Sequence, residues 1–296
     1  MRLRSWSPVA VLVAFTIAGC GGPGDPVASL SVEPRQMEVG YPGYATAELT
    51  WSFARPLGEV DGEPRVFLHL VDEQGNLART FDHELPGGWR EEGQKAYEVK
   101  IYQSALAPPL AAGEYDLVAG LYDRSNRRWP LSVEGRQTAE LAYRVAGVTV
   151  AESSGDSPMF FFPSGWQPVE GGTDLQVLGR RWLSETGSLR LSEVVRPGSL
   201  WLMLGVPTGA GKVEDLVLDE GAATPQVVVT SDCSAELESV TVSGSGSHGL
   251  ELPVEVGPDG EARECQVTFE ANYYLVSLET LARRTVALEN LAWSAR

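Results

Sequence analysis

The chain has 296 residues, with 40 acidic side chains against 23 Lys and Arg and a formal net charge of −17. A hydrophobic fraction of 43% and a charged fraction of 21% exclude wholesale disorder, and the length allows a substantial core and about two domains. So acidic a surface is repelled by phosphate backbones and anionic headgroups, which excludes general nucleic-acid binding.

The chain opens with MRLRSWSPVAVLVAFTIAGC, in which Arg2 and Arg4 precede an apolar run from Val9 to Ala18. The run is too short for a membrane span but suits an export signal. Ile17, Ala18 and Gly19 lead directly into Cys20. This ending resembles the lipobox of bacterial lipoproteins. The resemblance implies that residues 1–19 are a signal peptide and that Cys20 is lipidated on its thiol and, after cleavage, on its new amine. The partner so implied is the lipid bilayer, where several acyl chains hold stably at about 0.8 kcal/mol per buried methylene. By analogy with enterobacterial sorting, Gly21 in place of Asp points to the outer membrane. The alternative is a secreted protein whose Cys20 leaves with the leader. Residues 20–28 continue as a Gly/Pro-rich flexible tether.

No long segment repeats its apolar residues at helical spacing. Short alternating or β-branched stretches dominate, punctuated by Gly, Pro, Asn and Asp, so the chain is expected to be all-β: two tandem antiparallel β-sandwiches behind the signal peptide. In the first half, strands are predicted at Ser29–Glu33, Ala45–Phe53, Val66–Asp72, Leu77–Asp82, Tyr97–Tyr102, Glu114–Asp123 and Thr138–Val145. Asp72–Asn76 supplies turn residues for a hairpin, and Leu106–Gly113 reads as a loop. Trp51 and Phe53, Val66–Asn76, Phe81–Trp89 and Gly113–Asp123 together resemble immunoglobulin-like sandwiches of bacterial envelope proteins, which implies such a module over 29–146.

Residues 147–158, rich in Ser, Gly, Asp and Pro, read as a linker. Beyond them, strands are predicted at Leu175–Leu183, Ser188–Ser192, Ser199–Val206, Glu214–Leu218, Gln226–Thr230, Glu236–Ser243, Gly249–Val256, Glu264–Phe269 and Thr285–Trp293, with a short helix or loop at Ser277–Arg284. The Gly-Trp opening at Trp166, the strand bearing Trp182 and the closing β segment resemble jelly-roll modules of the carbohydrate-binding kind. That resemblance spans 159–296 and carries no ligand site across. Cys233 and Cys265 are an even pair in a chain read as exported, so one disulfide is expected; no His lies at a ligand spacing to make them a metal site.

Catalytic patterns are thin. His69 shares a strand face with Phe67 and Val71, His83 follows Asp82 near a strand end, and His248 lies in a Gly/Ser hairpin, so none is placed beside a nucleophile and an orienting acid. Gly205–Lys212 imitates a phosphate loop, but its spacing is one residue too long and Val213 replaces the magnesium-binding Ser or Thr. Neither a calcium loop nor a zinc helix is present in the pattern, and no cofactor is implied. Trp51, Trp182, Trp201 and Trp293 sit inside strand patterns and read as core. Turn-proximal Trp89 and Trp129 and the adjacent Tyr273 and Tyr274 are the candidate ligand or partner contacts, with packing at a seam as the alternative. Arg127-Arg128 and Arg283-Arg284 read as solvated ion pairs. The sequence is therefore expected to encode a non-catalytic recognition or scaffolding module for a glycan or an envelope protein. The alternatives are a glycan-cleaving enzyme with paired carboxylates in the second half and an accessory subunit of a membrane assembly.

Overall fold

The computed structural model describes residues 25–87, 91–152, 155, 157–171, 179–207, 214–235, 239–277 and 283–295. The chain is all-β: among these residues the only helix is a 3-10 turn at Pro258–Gly260. Two hydrophobic cores account for the packing, one built by residues between Ala28 and Val150 and the other mainly by residues between Leu183 and Trp293.

The first core lies between two layers. One contains Ala28–Glu33, Gly43–Phe53 and Gly93–Gln103; the other contains Arg65–Val71, Leu77–Thr80, Gly113–Tyr122 and Ala142–Val150. Alternation sets the faces: Ala47, Leu49, Trp51 and Phe53 point inward, whereas Glu48 and Ser52 point to solvent. Each fully buried Leu or Val contributes about 1.5–3 kcal/mol, so this strand alone is a large part of the core. The hairpin expected at Asp72–Asn76 is present, joining antiparallel Arg65–Val71 and Leu77–Thr80.

The second core lies between a layer of Gly198–Val206, Gly246–Val254 and Ala287–Ala295 and a layer of Met159–Trp166, Gln226–Ser231, Ser239–Ser243 and Arg263–Ala271. The 14-residue strand Arg181–Val194 belongs to both, pairing first with Ala287–Ala295 and then with Arg263–Ala271. Cys233 and Cys265 are buried and bonded to each other, with Cα atoms 5.0 Å apart, as expected. Closing a loop of this size stabilises by roughly 3–4 kcal/mol on the chain-entropy account.

Several boundaries differ from expectation. Ala142–Val150 runs into the stretch read as linker, because Gly147–Val150 gain a parallel partner in Gln36–Val39, a strand too short to show by alternation. Of the strand expected at Leu175–Leu183, residues 175–178 lie outside the described residues, while Arg181–Leu183 and the expected Ser188–Ser192 belong to one continuous strand, Arg181–Val194. Gly246–Val254 extends through the Gly/Ser run at His248 because it has a long partner in Gly198–Val206. Tyr273–Ser277, where no strand is predicted, pairs with Glu214–Leu218 and with Arg283–Arg284, at the end of the expected helix or loop, in a small third sheet. The Leu106–Gly113 loop is a strap pinned at its buried residues Leu106, Ala107 and Leu110, with Pro108, Pro109 and Ala111–Gly113 exposed: the Leu110 N–H donates to Gln103 at 2.9 Å, and Leu106 inserts into the second core.

The two sandwiches are joined edge to edge. Trp293 pairs in parallel with Gly43, making one sheet continuous through both bodies. A Cβ at Gly43 would stand 2.8 Å from the Gly40 carbonyl oxygen, so the join requires glycine there.

Candidate functional site

The outward face of the strand Gly198–Val206 presents Trp201, Met203 and Gly205. Trp201 is flanked by Glu251 and Ala292, Met203 by Gly249 and Asn290, and Gly205 by Ser247 and Ala287. Large side chains at one end give way to small ones at the other.

At the Trp201 end the first sandwich closes down. Tyr102 meets the indole edge-on at 4.8 Å between ring centres, and Tyr44 packs beside it at 5.9 Å. The Tyr44 hydroxyl donates to Glu251 at 2.9 Å, and Lys100 Nζ, above the Tyr44 ring, reaches the other Glu251 oxygen at 3.1 Å. Burial disfavours a charged Glu251, but the bonds from Tyr44 and Lys100 outweigh it and hold its carboxyl below the ordinary range. Backbone bonds complete the closure, with the Ala105 N–H donating to the Leu291 carbonyl at 2.8 Å.

At the Met203 end the seam opens into a cleft of about 730 Å³, a volume typical of small-molecule sites. Met203, Ser247, Glu289 and Asn290 form its floor; Asp82, His83 and Tyr102 wall it from the first sandwich, and Glu170 and Arg180 from the second. The floor owes its chemistry to a β-bulge. Met203 pairs with Asn290 and Leu204 with Leu288, so Glu289 is an extra residue. Leu288 and Leu291 both enter the core, and the two residues between them turn together toward the cleft. Gly205 leaves the space in which Glu289 lies: a Cβ there would stand 2.4 Å from the Glu289 carboxylate.

Most polar groups of the cleft are engaged. Glu289 accepts from the Ser247 hydroxyl at 2.8 Å. Glu170 accepts from Trp182 Nε1 at 3.0 Å and pairs with Arg284 at 3.0 Å and Arg180 at 3.9 Å. Partial burial works against a charged Asp82, yet His69 at 3.0 Å, the Leu68 N–H and the Tyr122 hydroxyl hold its carboxyl below the ordinary range. Tyr102 is pushed up to about 12, by burial first and with Glu289 adding to it against Arg79.

His83 is locked as well. Nδ1 lies 2.9 Å from the Phe81 carbonyl oxygen, which can only accept, so Nδ1 carries the proton. Tyr97 stands 2.8 Å from Nε2 while its oxygen accepts from Trp51 Nε1 at 3.3 Å, so the Tyr97 hydroxyl donates to Nε2. Burial moves the His83 pKa down and keeps the ring neutral. Both nitrogens are spent, so His83 is a wall of the cleft and not a proton carrier.

Asn290 is the exception. It is 1% exposed, and neither its Nδ2 nor its Oδ1 has a hydrogen-bond partner among the described residues. An amide buried without partners costs about 1–3 kcal/mol, a penalty that a ligand in the cleft would relieve.

No protein-family model and no curated protein matches the sequence. Among solved structures, similarity is found to the module TmCBM61 in complex with β-1,4-galactotriose, at TM-score 0.27 and 12% identity over 47% of this chain and 88% of that one. It is also found to the M60 catalytic domain with the CBM51-1 and CBM51-2 domains of Clostridium perfringens ZmpB, at 0.26 and 8% over 86% of this chain and 34% of that one. A Salmonella α-2-macroglobulin mutant aligns at 0.24 and 13% over 96% of this chain but 16% of its own. Scores this low carry no argument about fold or activity.

The described residues expected to touch a ligand, Trp129, Tyr273 and Tyr274, do not line this cleft. Cys20 and Trp89 fall outside the described residues. Trp129 is 4% exposed: its strand pairs with Leu121–Tyr122, which turns the indole into the first core in place of solvent, with Arg127 over the ring. Tyr273 is buried too, its phenol pushed up by desolvation, while Tyr274 is half-buried under the Arg283 guanidinium at 4.7 Å. Both line a smaller depression of about 220 Å³. Trp51, Trp182, Trp201 and Trp293 are buried, as read from their strand patterns. Arg283 and Arg284 pair with Glu185 and Glu170, whereas Arg127 and Arg128 donate to the Glu59 and Glu140 carbonyls. Of the three histidines weighed for chemistry, His83 reaches the cleft. Asn290 and Glu289 were missed, although LENL at 288–291 spaces its leucines by three and so breaks the period of two.

Proposed function

We propose that the chain is a non-catalytic recognition module of the bacterial cell envelope, anchored by lipid at Cys20, that binds a glycan in the cleft between its two sandwiches. The observation that supports this most directly is Asn290, a buried amide with no partner in a cleft otherwise lined by carboxylates, a guanidinium, an aromatic ring and a thioether. Sugars combine hydroxyls, which exchange hydrogen bonds with planar polar side chains, with apolar ring faces, which pack on Tyr102 or Met203. The lipobox at Ile17–Cys20 and the Gly/Pro tether support display from a bilayer, with Gly21 favouring the outer membrane.

A second reading follows from Asp82, Glu170 and Glu289, since glycan cleavage needs only two carboxyl groups. It requires one of them to be held protonated as the acid. Asp82 is shifted the opposite way, and Glu170 is bound to two arginines, which favours binding without cleavage. The test is to purify the full chain from membranes in detergent, weigh its N-terminal peptide, and incubate it with soluble oligosaccharides. The expected result is a diacylglyceryl-modified Cys20, glycan retention and no new reducing ends. Steady release of reducing ends would replace binding with hydrolysis, and an unmodified leader would remove the envelope reading.

A further inference from the structure

The cleft specifies more than a glycan in general. A carboxamide presents an acceptor and a donor side by side in one plane, and in Asn290, at the floor of the cleft, both are unpartnered among the described residues. Two hydroxyls on adjacent ring carbons match that pair, one donating to Oδ1 and the other accepting from Nδ2. An ammonium group would leave Nδ2 unused. A carboxylate would leave Oδ1 unused.

The charge around Asn290 selects in the same direction. Asp82, Glu170 and Glu289 supply acceptors and negative potential, whereas the one arginine among the described lining residues, Arg180, already faces Glu170 at 3.9 Å. Hydroxyls satisfy such acceptors by donating, but an anionic sugar meets repulsion with no free cation among the described lining residues to offset it. The bulge that turns Glu289 and Asn290 to the same side places amide and charge next to each other on the floor.

We infer that the cleft selects neutral sugars that present a vicinal diol to Asn290 and rejects their anionic counterparts. This inference rests on the glycan reading above.

Isothermal titration of the full chain in detergent, with neutral galacto-, gluco- and manno-oligosaccharides and with oligogalacturonate, tests it. At least one neutral series is expected to bind, with oligogalacturonate at least tenfold weaker. Asn290→Leu is expected to lose at least tenfold for the neutral ligand while its thermal midpoint stays level or rises. Glu289→Gln, which keeps shape and removes charge, is expected to narrow the neutral-to-anionic ratio several-fold. Should either variant fail to fold, Asn290→Ser and Glu289→Ala provide the same readings. Neutral binding indifferent to Asn290, or oligogalacturonate binding equally well, would overturn the inference and leave glycan binding standing. Binding of neither class would overturn both.

Discussion

The two ends of the seam are cut from the same three strands and differ in what those strands present. Where Gly198–Val206 offers Trp201, the first sandwich packs down with two tyrosines, and Glu251 takes a bond from Tyr44 and one from Lys100. Two and four residues along, the same face offers Met203 and Gly205, a cleft opens over it, and Asn290 is left with its amide unmatched among the described residues. The difference separates two tasks that proteins rarely perform with the same residues: one end joins the bodies and the other keeps a polar site at a cost in stability.

The largest effect is expected at the closed end. Trp201→Ala removes the ring that meets both tyrosines and should cost about 3–5 kcal/mol, splitting the thermal unfolding of the two sandwiches into separate calorimetric transitions. A single transition with an unchanged midpoint would show that the seam does not join them. The open end should respond with the opposite sign. Asn290→Leu substitutes an apolar side chain of similar size for the unmatched amide, so the unliganded protein should gain about 1 kcal/mol or more in denaturant unfolding. A clear loss would mean that the amide has work to do in the empty cleft.

Glu251→Gln sharpens the contrast on a smaller scale. It weakens a half-exposed ion pair and should cost about 0.5–1 kcal/mol at neutral pH. Because the Glu251 carboxyl is held below its ordinary value, its stabilisation is present above about pH 4.3 and lost as the pH falls through the lower folded value. The difference between wild type and Glu251→Gln should therefore shrink on acidification. The smallest effect belongs to His83. Burial lowers its pKa, with Asp82 opposing and Arg65 assisting, so the unfolded chain takes up the proton first. Stability should decline as the pH drops below about 6.5, and His83→Gln should flatten that slope in denaturant titrations at pH 7.5 and 5.5.

Most of the sheet skeleton was legible because burial imposes a period of two. Ala47, Leu49, Trp51 and Phe53 announce their face, and the turn at Asp72–Asn76 announces its hairpin. The disulfide followed from an even count of cysteines in a chain read as exported. The cleft was not legible, since it depends on residues distant in sequence: Asp82 and His83 meet Arg180, Ser247 and Asn290 only after both sandwiches have packed. Aromatics near turns read as exposed from sequence, but Trp129 belongs to a two-residue strand that folds back on Leu121–Tyr122, and two residues are too few for alternation to report the direction of the indole. The irregular spacing from Leu288 to Leu291 was visible all along. Reading it as a bulge requires knowing which strand lies opposite.

Ala287–Ala295 follows every other strand described here, and it supplies the bulge, the Leu291 backbone bonds and the Trp293 pairing with Gly43. Time therefore enters the design. As the chain emerges from its N-terminus onward, the first sandwich is complete long before this segment arrives, and Gly198–Val206 waits with one edge unpaired. Deleting Ala287–Ala295 would therefore leave Gly198–Val206 with an exposed strand edge and take Glu289 and Asn290 out of the cleft floor.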